Sequence, residues 1–268
     1  MDNVKLPPAL ASALSEERTP KFLATLDAGG VPNVVPVISI RPGRGDELIF
    51  AELMIWKTKK NLLENARVCV VAVSRDLTWW EIRGDFLGFE TKGDYFEELS
   101  RLDMFRYNAY SGIRSAGVIR AVGVSAPEKV FRPALIPGLA ASKLRSAARG
   151  GGPHAMPRPV AEKFNRFRAA KAIAVRGGDG YPAASLASTM FPAGRSRLVM
   201  AADELPSPAR NSAKPCNAAA SVITFDPVAY QVKGLLRRAT YPGGLRMAVM
   251  NVEETYSASP PLPGKRLA

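Results

Sequence analysis

The chain contains two cysteines, Cys69 and Cys216, and one histidine, His154, in 268 residues. Two cysteines exclude a disulfide framework and a zinc site built on several thiolates. One histidine excludes a metal centre of two or three imidazoles, and only His154 is left to serve a Ser–His or Cys–His scheme. It lies in Gly150-Gly151-Gly152-Pro153-His154-Ala155-Met156-Pro157, which reads as a flexible connection in which a solvated histidine is the simpler meaning. No apolar run approaches the roughly 18 residues of a membrane span. The start, Met1-Asp2-Asn3-Val4-Lys5-Leu6-Pro7-Pro8, shows no basic segment followed by an apolar one. The expectation is a cytoplasmic protein without a metal and without a membrane, whose chemistry comes from a bound organic cofactor. Acidic residues are also scarce, 24 against 37 basic, for a net charge of +13. That favours an anionic partner: a phosphorylated cofactor, a nucleic acid or an anionic surface. A general arginine bias would produce the same excess.

What is present is globular: 47% apolar and 23% charged residues, with 22 Gly and 22 Pro to make many turns. A repeat organises it. Shifted by 150 residues, 6–51 lies on 156–201 without a gap. Identical pairs include Pro7/Pro157, Lys21/Lys171, Ala24/Ala174, Gly30/Gly180, Pro32/Pro182, Leu48/Leu198 and Ala51/Ala201, and Ser39/Thr189 is conservative. The register returns where Trp80-Glu81-Ile82-Arg83-Gly84 matches Tyr230-Gln231-Val232-Lys233-Gly234. A period this long means two copies of one domain, such as a two-fold dimer fused into one chain or two separate beads. The division drawn is 1–145 and 146–268.

Each copy opens with a short helix, Pro8–Leu14 and Pro159–Phe167, with proline in the first turn. Strands follow at Phe22–Leu26, Val34–Ile40, Leu48–Ala51, Val68–Val73, Trp79–Gly84 and Gly117–Val124, joined by turns such as Asp27-Ala28-Gly29-Gly30. The pattern predicts a mainly β fold with small helices and a barrel-like sheet. Asp94–Tyr107 reads as a helix particular to the first copy. Trp79 and Trp80 face opposite sides of their strand, one toward the core and the other able to line a cleft, the alternative being core for both with a bend. Arg83 and Lys233, one repeat apart, read as exposed strand positions with a shared structural role.

The strongest local feature is Trp56-Lys57-Thr58-Lys59-Lys60-Asn61-Leu62-Leu63-Glu64-Asn65-Ala66-Arg67. Lysines and a threonine at a helix start supply donors for a phosphate. A solvated basic turn is the commoner meaning of such a cluster alone. Phe22-Leu23-Ala24-Thr25-Leu26-Asp27 through Gly30-Val31-Pro32 and Pro36, then Leu48–Ala51, Lys57–Val68 and Ile82-Arg83-Gly84, resemble in order and spacing the pyridoxamine 5′-phosphate oxidase-like, FMN-binding split β-barrel family. The likeness covers about residues 20–125.

The resemblance implies two tandem split barrels packed as a pseudo-two-fold dimer, with FMN in a cleft between them. It assigns cofactor contacts to Ser39, Phe50, Ala51, Lys57, Thr58 and Lys59. The second copy has Pro208-Ala209-Arg210-Asn211 in place of Lys57-Thr58-Lys59-Lys60, so one FMN per chain is expected. The implied function is an FMN-dependent oxidoreductase acting on a small molecule, with a nicotinamide as a candidate electron donor and no catalytic side chain readable. The alternatives are a non-catalytic flavin or deazaflavin binder and a basic nucleic-acid-binding protein. Against the last, the densest basic run, from Arg145 to Lys171, carries no set of stacking aromatics. A duplicated chain can complete its own interface as a monomer.

Overall fold

The computed structural model describes residues 4–103, 112–130, 133–147, 155–226, 228–241, 244–259 and 263–268. His154, the linker 148–153 and the later part of the helix expected over Asp94–Tyr107 lie outside these residues. The first half contains α1 (Pro8–Ser15), β1 (Lys21–Leu26), β2 (Pro32–Pro36), β3 (Arg41–Pro42), β4 (Glu47–Ala51), α2 (Trp56–Glu64), β5 (Arg67–Val73), β6 (Thr78–Glu90), α3 (Asp94–Ser100), β7 (Ala116–Val124) and β8 (Glu128–Lys129). The second contains α4 (Ile136–Ala147), α5 (Arg158–Asn165), β9 (Ala170–Arg176), β10 (Pro182–Leu186), β11 (Phe191–Ala193), β12 (Arg197–Ala201), α6 (Ser207–Asn211), β13 (Cys216–Ile223), β14 (Ala229–Tyr241) and β15 (Leu245–Ser257). Among the described residues no helix is long and apolar enough to cross a membrane.

The two sheets share one strand order, β2-β1-β5-β6-β7-β4-β3 and β10-β9-β13-β14-β15-β12-β11, with β8 added on β6. All ladders are antiparallel. The repeat therefore maps strand onto strand. α4, which spans the division at 145/146, packs on β11 and β12 of the second sheet.

Each sheet curls but does not close by hydrogen bonds. β2 and β3 follow one another in the chain yet stand at opposite ends of the strand path. The strand expected to run to Ile40 stops at Pro36. Residues 37–40 turn instead, with the Ile40 N–H on the Val37 carbonyl at 3.2 Å. The second copy does the same, Met190 N–H to the Ala187 carbonyl at 3.1 Å. A covalent turn thus closes each barrel, which makes it split. Backbone groups in a seam without a ladder are left over for other partners.

Strand composition follows from what covers each face. In β5 the run Arg67–Val73 is apolar almost throughout because both faces are covered. Val68, Val70 and Ala72 join the core of the first barrel. Cys69, Val71 and Val73 point the other way, into a cluster with Phe22, Ala24 and Val34 and with Ala172, Ala174, Ala184, Leu186 and Ala219 of the second copy. The two barrels therefore pack on each other through a continuous apolar core. Trp80 is buried in the first barrel, whereas Trp79 packs at this junction.

Polar groups cross the junction in pseudo-symmetric pairs. Gln231 donates to the Val34 carbonyl at 2.7 Å, and Glu81, its counterpart one repeat earlier, accepts from the Ala184 N–H at 3.1 Å. Arg83 reaches Asp179 in the opposite hairpin turn at 2.8 Å. Lys233 corrects the expectation of an exposed position: it is 4% exposed. Both residues stand immediately before a register shift, between Arg83/Gly84 and Lys233/Gly234. Bulges redirect side chains, here toward the other copy.

Candidate functional site

A cleft of about 240 Å³ lies between the copies. The first contributes Asn33, the seam turn with Ile38 and Ser39, Ala51, the loop 53–55, and Trp56, Lys57 and Thr58 at the start of α2. The second contributes Ile223, Ala229, Gln231, the segment Tyr256–Ser259, Pro263 and Gly264. Most of this lining is apolar, and Lys57 is the one charged residue among the described lining residues.

Of the six residues expected to hold a cofactor, Ser39, Ala51, Lys57 and Thr58 line the cleft. Phe50 and Lys59 do not, and both placements follow from geometry. Neighbours in a strand face opposite sides. Phe50 therefore points into the first barrel, where its ring meets Phe86 and Phe89. Two helical positions from Lys57, Lys59 turns to the far side. Its ammonium pairs with Glu52 at 2.6 Å and lies over the Phe89 ring.

A buried polar chain fixes the inner wall. Asn61 donates to Thr25 Oγ1 at 3.0 Å, Asn33 donates to Thr58 Oγ1 at 3.1 Å, and Gln231 donates to Asn33 Oδ1 at 3.1 Å. Thr58 keeps its hydroxyl proton to donate. The Lys57 ammonium lies 4.4 Å from the centre of the Tyr256 ring of the second copy. Behind it, burial first and then Lys57 push Lys233 down to about 8. Two ammonium groups share this corner, and an anion there would relieve their repulsion. Asn33, Gln231 and Tyr256 were missed from the sequence; Gln231 lies in the segment where the repeat returns.

The seam turn is held from inside by a buried lysine. Lys21 donates to the carbonyls of Glu16 at 2.5 Å and Ile38 at 3.1 Å, and its repeat partner Lys171 donates to Met190 at 2.8 Å. Burial pushes Lys21 down to about 8 and Lys171 to about 7. The unfolded chain binds these protons at higher pH than the folded one, so stability should rise with pH from about 7. Lys233 adds in the same sense. Above about pH 8.5 unfolded cysteines ionise while burial keeps the Cys69 thiol protonated, which offsets part of this rise. Urea unfolding at pH 7 and pH 9 should show a gain of roughly 2–5 kcal/mol, and Lys171→Met should flatten it.

The second copy shows what the seam turn binds. There the Glu204 carboxylate sits on Ser188 and Thr189, the counterparts of Ile38 and Ser39. One oxygen accepts from the Ser188 N–H at 2.9 Å and the Ser188 hydroxyl, the other from the Thr189 N–H at 2.8 Å and the Thr189 hydroxyl. In both copies the turn hydroxyl also accepts a strand N–H, Ala51 on Ser39 at 3.1 Å and Ala201 on Thr189 at 2.9 Å. The two turns are thus built alike, and Ile38 and Ser39 line the open cleft where their counterparts carry an oxyanion.

In the densest basic run, Arg158, Arg166 and Arg168 are exposed. Arg158 pairs with Glu162, Lys163 and Arg166 pair with Asp226, and Lys171 is buried.

Residues 6–132 match the family described as pyridoxamine 5′-phosphate oxidase. That match spans the first copy, and the second repeats its sheet. Similar solved structures include an FMN-binding protein from Syntrophomonas wolfei subsp. wolfei, 19% identical, covering 46% of this chain and 86% of that one with a TM-score of 0.41. HupZ of Group A Streptococcus is 21% identical, covering 44% and 91% with a TM-score of 0.38. HutZ, the heme storage protein of Vibrio cholerae, is 15% identical, covering 47% and 97% with a TM-score of 0.35. No curated protein matches.

Proposed function

We propose that the cleft binds FMN, one molecule per chain, and that the protein is a cytoplasmic flavin-dependent oxidoreductase acting on a small molecule. The observation that carries this reading is the seam turn: its counterpart holds a carboxylate on two N–H groups and two hydroxyls, and here it faces a cleft beside Lys57 and Thr58. Ile38 N–H, Ser39 N–H, the Thr58 hydroxyl and the Lys57 ammonium would hold the phosphate. Gln231 and Tyr256 of the second copy would cover the organic part and exclude water. When bound, FMN supplies two-electron redox chemistry, and the protein supplies orientation and charge.

The purified protein is expected to absorb near about 370 and 450 nm, the region of flavins. Titrating apo-protein with FMN should saturate at one per chain; two equal sites or no binding would overturn the reading. Turnover with a nicotinamide donor supports the enzyme, and tightly held flavin that no donor reduces argues for the carrier.

A further inference from the structure

The second cleft, lined by Trp79, Lys129, Ser185, Glu204 and Arg210, is the repeat counterpart of the first. Ser188 and Thr189, the counterparts of Ile38 and Ser39, do not line it, because the Glu204 carboxylate covers them. From this we infer that the second cleft is an oxyanion site of the same design, kept shut by the chain's own Glu204, so that the chain takes one phosphorylated ligand instead of two. The part about ligand number rests on the function proposed above; the closed site itself does not.

The loop that delivers Glu204 is one residue longer than its counterpart. Four residues, 52–55, separate β4 from α2, and five, 202–206, separate β12 from α6. The extra residue allows a turn of 3-10 helix, Ala202–Glu204, and Ser185 donates to the Glu204 carbonyl at 2.5 Å to fix it. The carboxylate that the first copy carries in this loop, Glu52, is drawn elsewhere by Lys59 at 2.6 Å and Ser115 at 2.5 Å. That leaves the first seam turn open. The ligand class follows from shape: a phosphate monoester or inorganic phosphate offers the same two-oxygen edge as a carboxylate to the same four donors.

Inorganic phosphate titrated into 15N-labelled protein separates the two claims. In the wild type, phosphate should shift the amides of Ile38 and Ser39 and leave Ser188 and Thr189 unmoved; failure of the Ile38 and Ser39 response counts against the proposed function alone. In Glu204→Ala, phosphate and formate should both shift Ser188 and Thr189, and at ten times its Kd phosphate should raise Tm by about 3 °C more than in the wild type. If Ser188 and Thr189 respond to neither anion in that variant, the closed-site inference is overturned. If Glu204→Ala does not fold, Glu204→Gln decides. Its amide puts a donor against donors, so Tm should fall by roughly 3–6 °C. An unchanged Tm would show that no anion is needed there.

Discussion

Gly234→Ala should be among the most destabilising single substitutions in the chain, lowering Tm by roughly 6–12 °C. A Cβ at 234 would stand 1.9 Å from the Asn251 carbonyl oxygen, a backbone atom that no rotamer change can move. The register shift between Lys233 and Gly234 brings the paired strand this close. Gly84 is the same position one repeat earlier, and its Cβ would meet the Arg120 carbonyl oxygen at 2.8 Å. Gly84→Ala should therefore cost less than Gly234→Ala but act in the same direction. Gly178 meets nothing within 4 Å. Gly178→Ala should leave Tm unchanged or raise it slightly. Thermal melts of the three variants check the order, and a Gly234→Ala protein as stable as Gly178→Ala would contradict the close approach.

Lys57→Ala combined with Thr58→Ala should weaken FMN binding by roughly a hundredfold or more. Each charge-assisted hydrogen bond to a phosphate is worth about 1.5–3 kcal/mol, or about 10- to 150-fold in Kd. Fluorescence titration of apo-protein reads the change directly. Two neighbouring lysines serve as controls. Lys60 is exposed and pairs with Glu64 one turn on, so Lys60→Ala should change Kd by no more than about twofold. Lys59→Ala should act on stability, because it removes the ion-pair partner of the nearly buried Glu52 carboxylate. Unaltered FMN affinity in the double variant would remove Lys57 and Thr58 from the site.

Much of the fold was legible because the chain states it twice. A turn glycine or a proline before a strand is ambiguous once, but Gly30/Gly180 and Pro32/Pro182 fix both hairpins in one register. Gly30 and Gly180 have φ of 78° and 81°, as the turn requires. The site was legible only in part. Of the residues that the resemblance assigns, Ser39, Ala51, Lys57 and Thr58 line the cleft. The resemblance also assigns Phe50 and Lys59, which strand alternation and helical pitch turn away from the neighbours that line the cleft. Lys233 looked exposed because a lone lysine in a strand usually is, and only the bulge beside it turns it inward. Glu204 left no sequence signal: at a fixed offset of 150 it pairs with Met54, and a one-residue insertion is invisible until the loop has a shape.

The junction between the barrels also bears on what each half could pair with. One repeat apart, Phe22 corresponds to Ala172, Val34 to Ala184 and Pro36 to Leu186, and all of these but Pro36 meet in one buried cluster. Bulk on one side is matched by its absence on the other. Two copies of the first half would bring two phenylalanines to a space shaped for one, and overfilling a packed core is costly. Two copies of the second half would leave voids in the same places. With large and small residues sorted to opposite sides, neither half retains a face that fits itself.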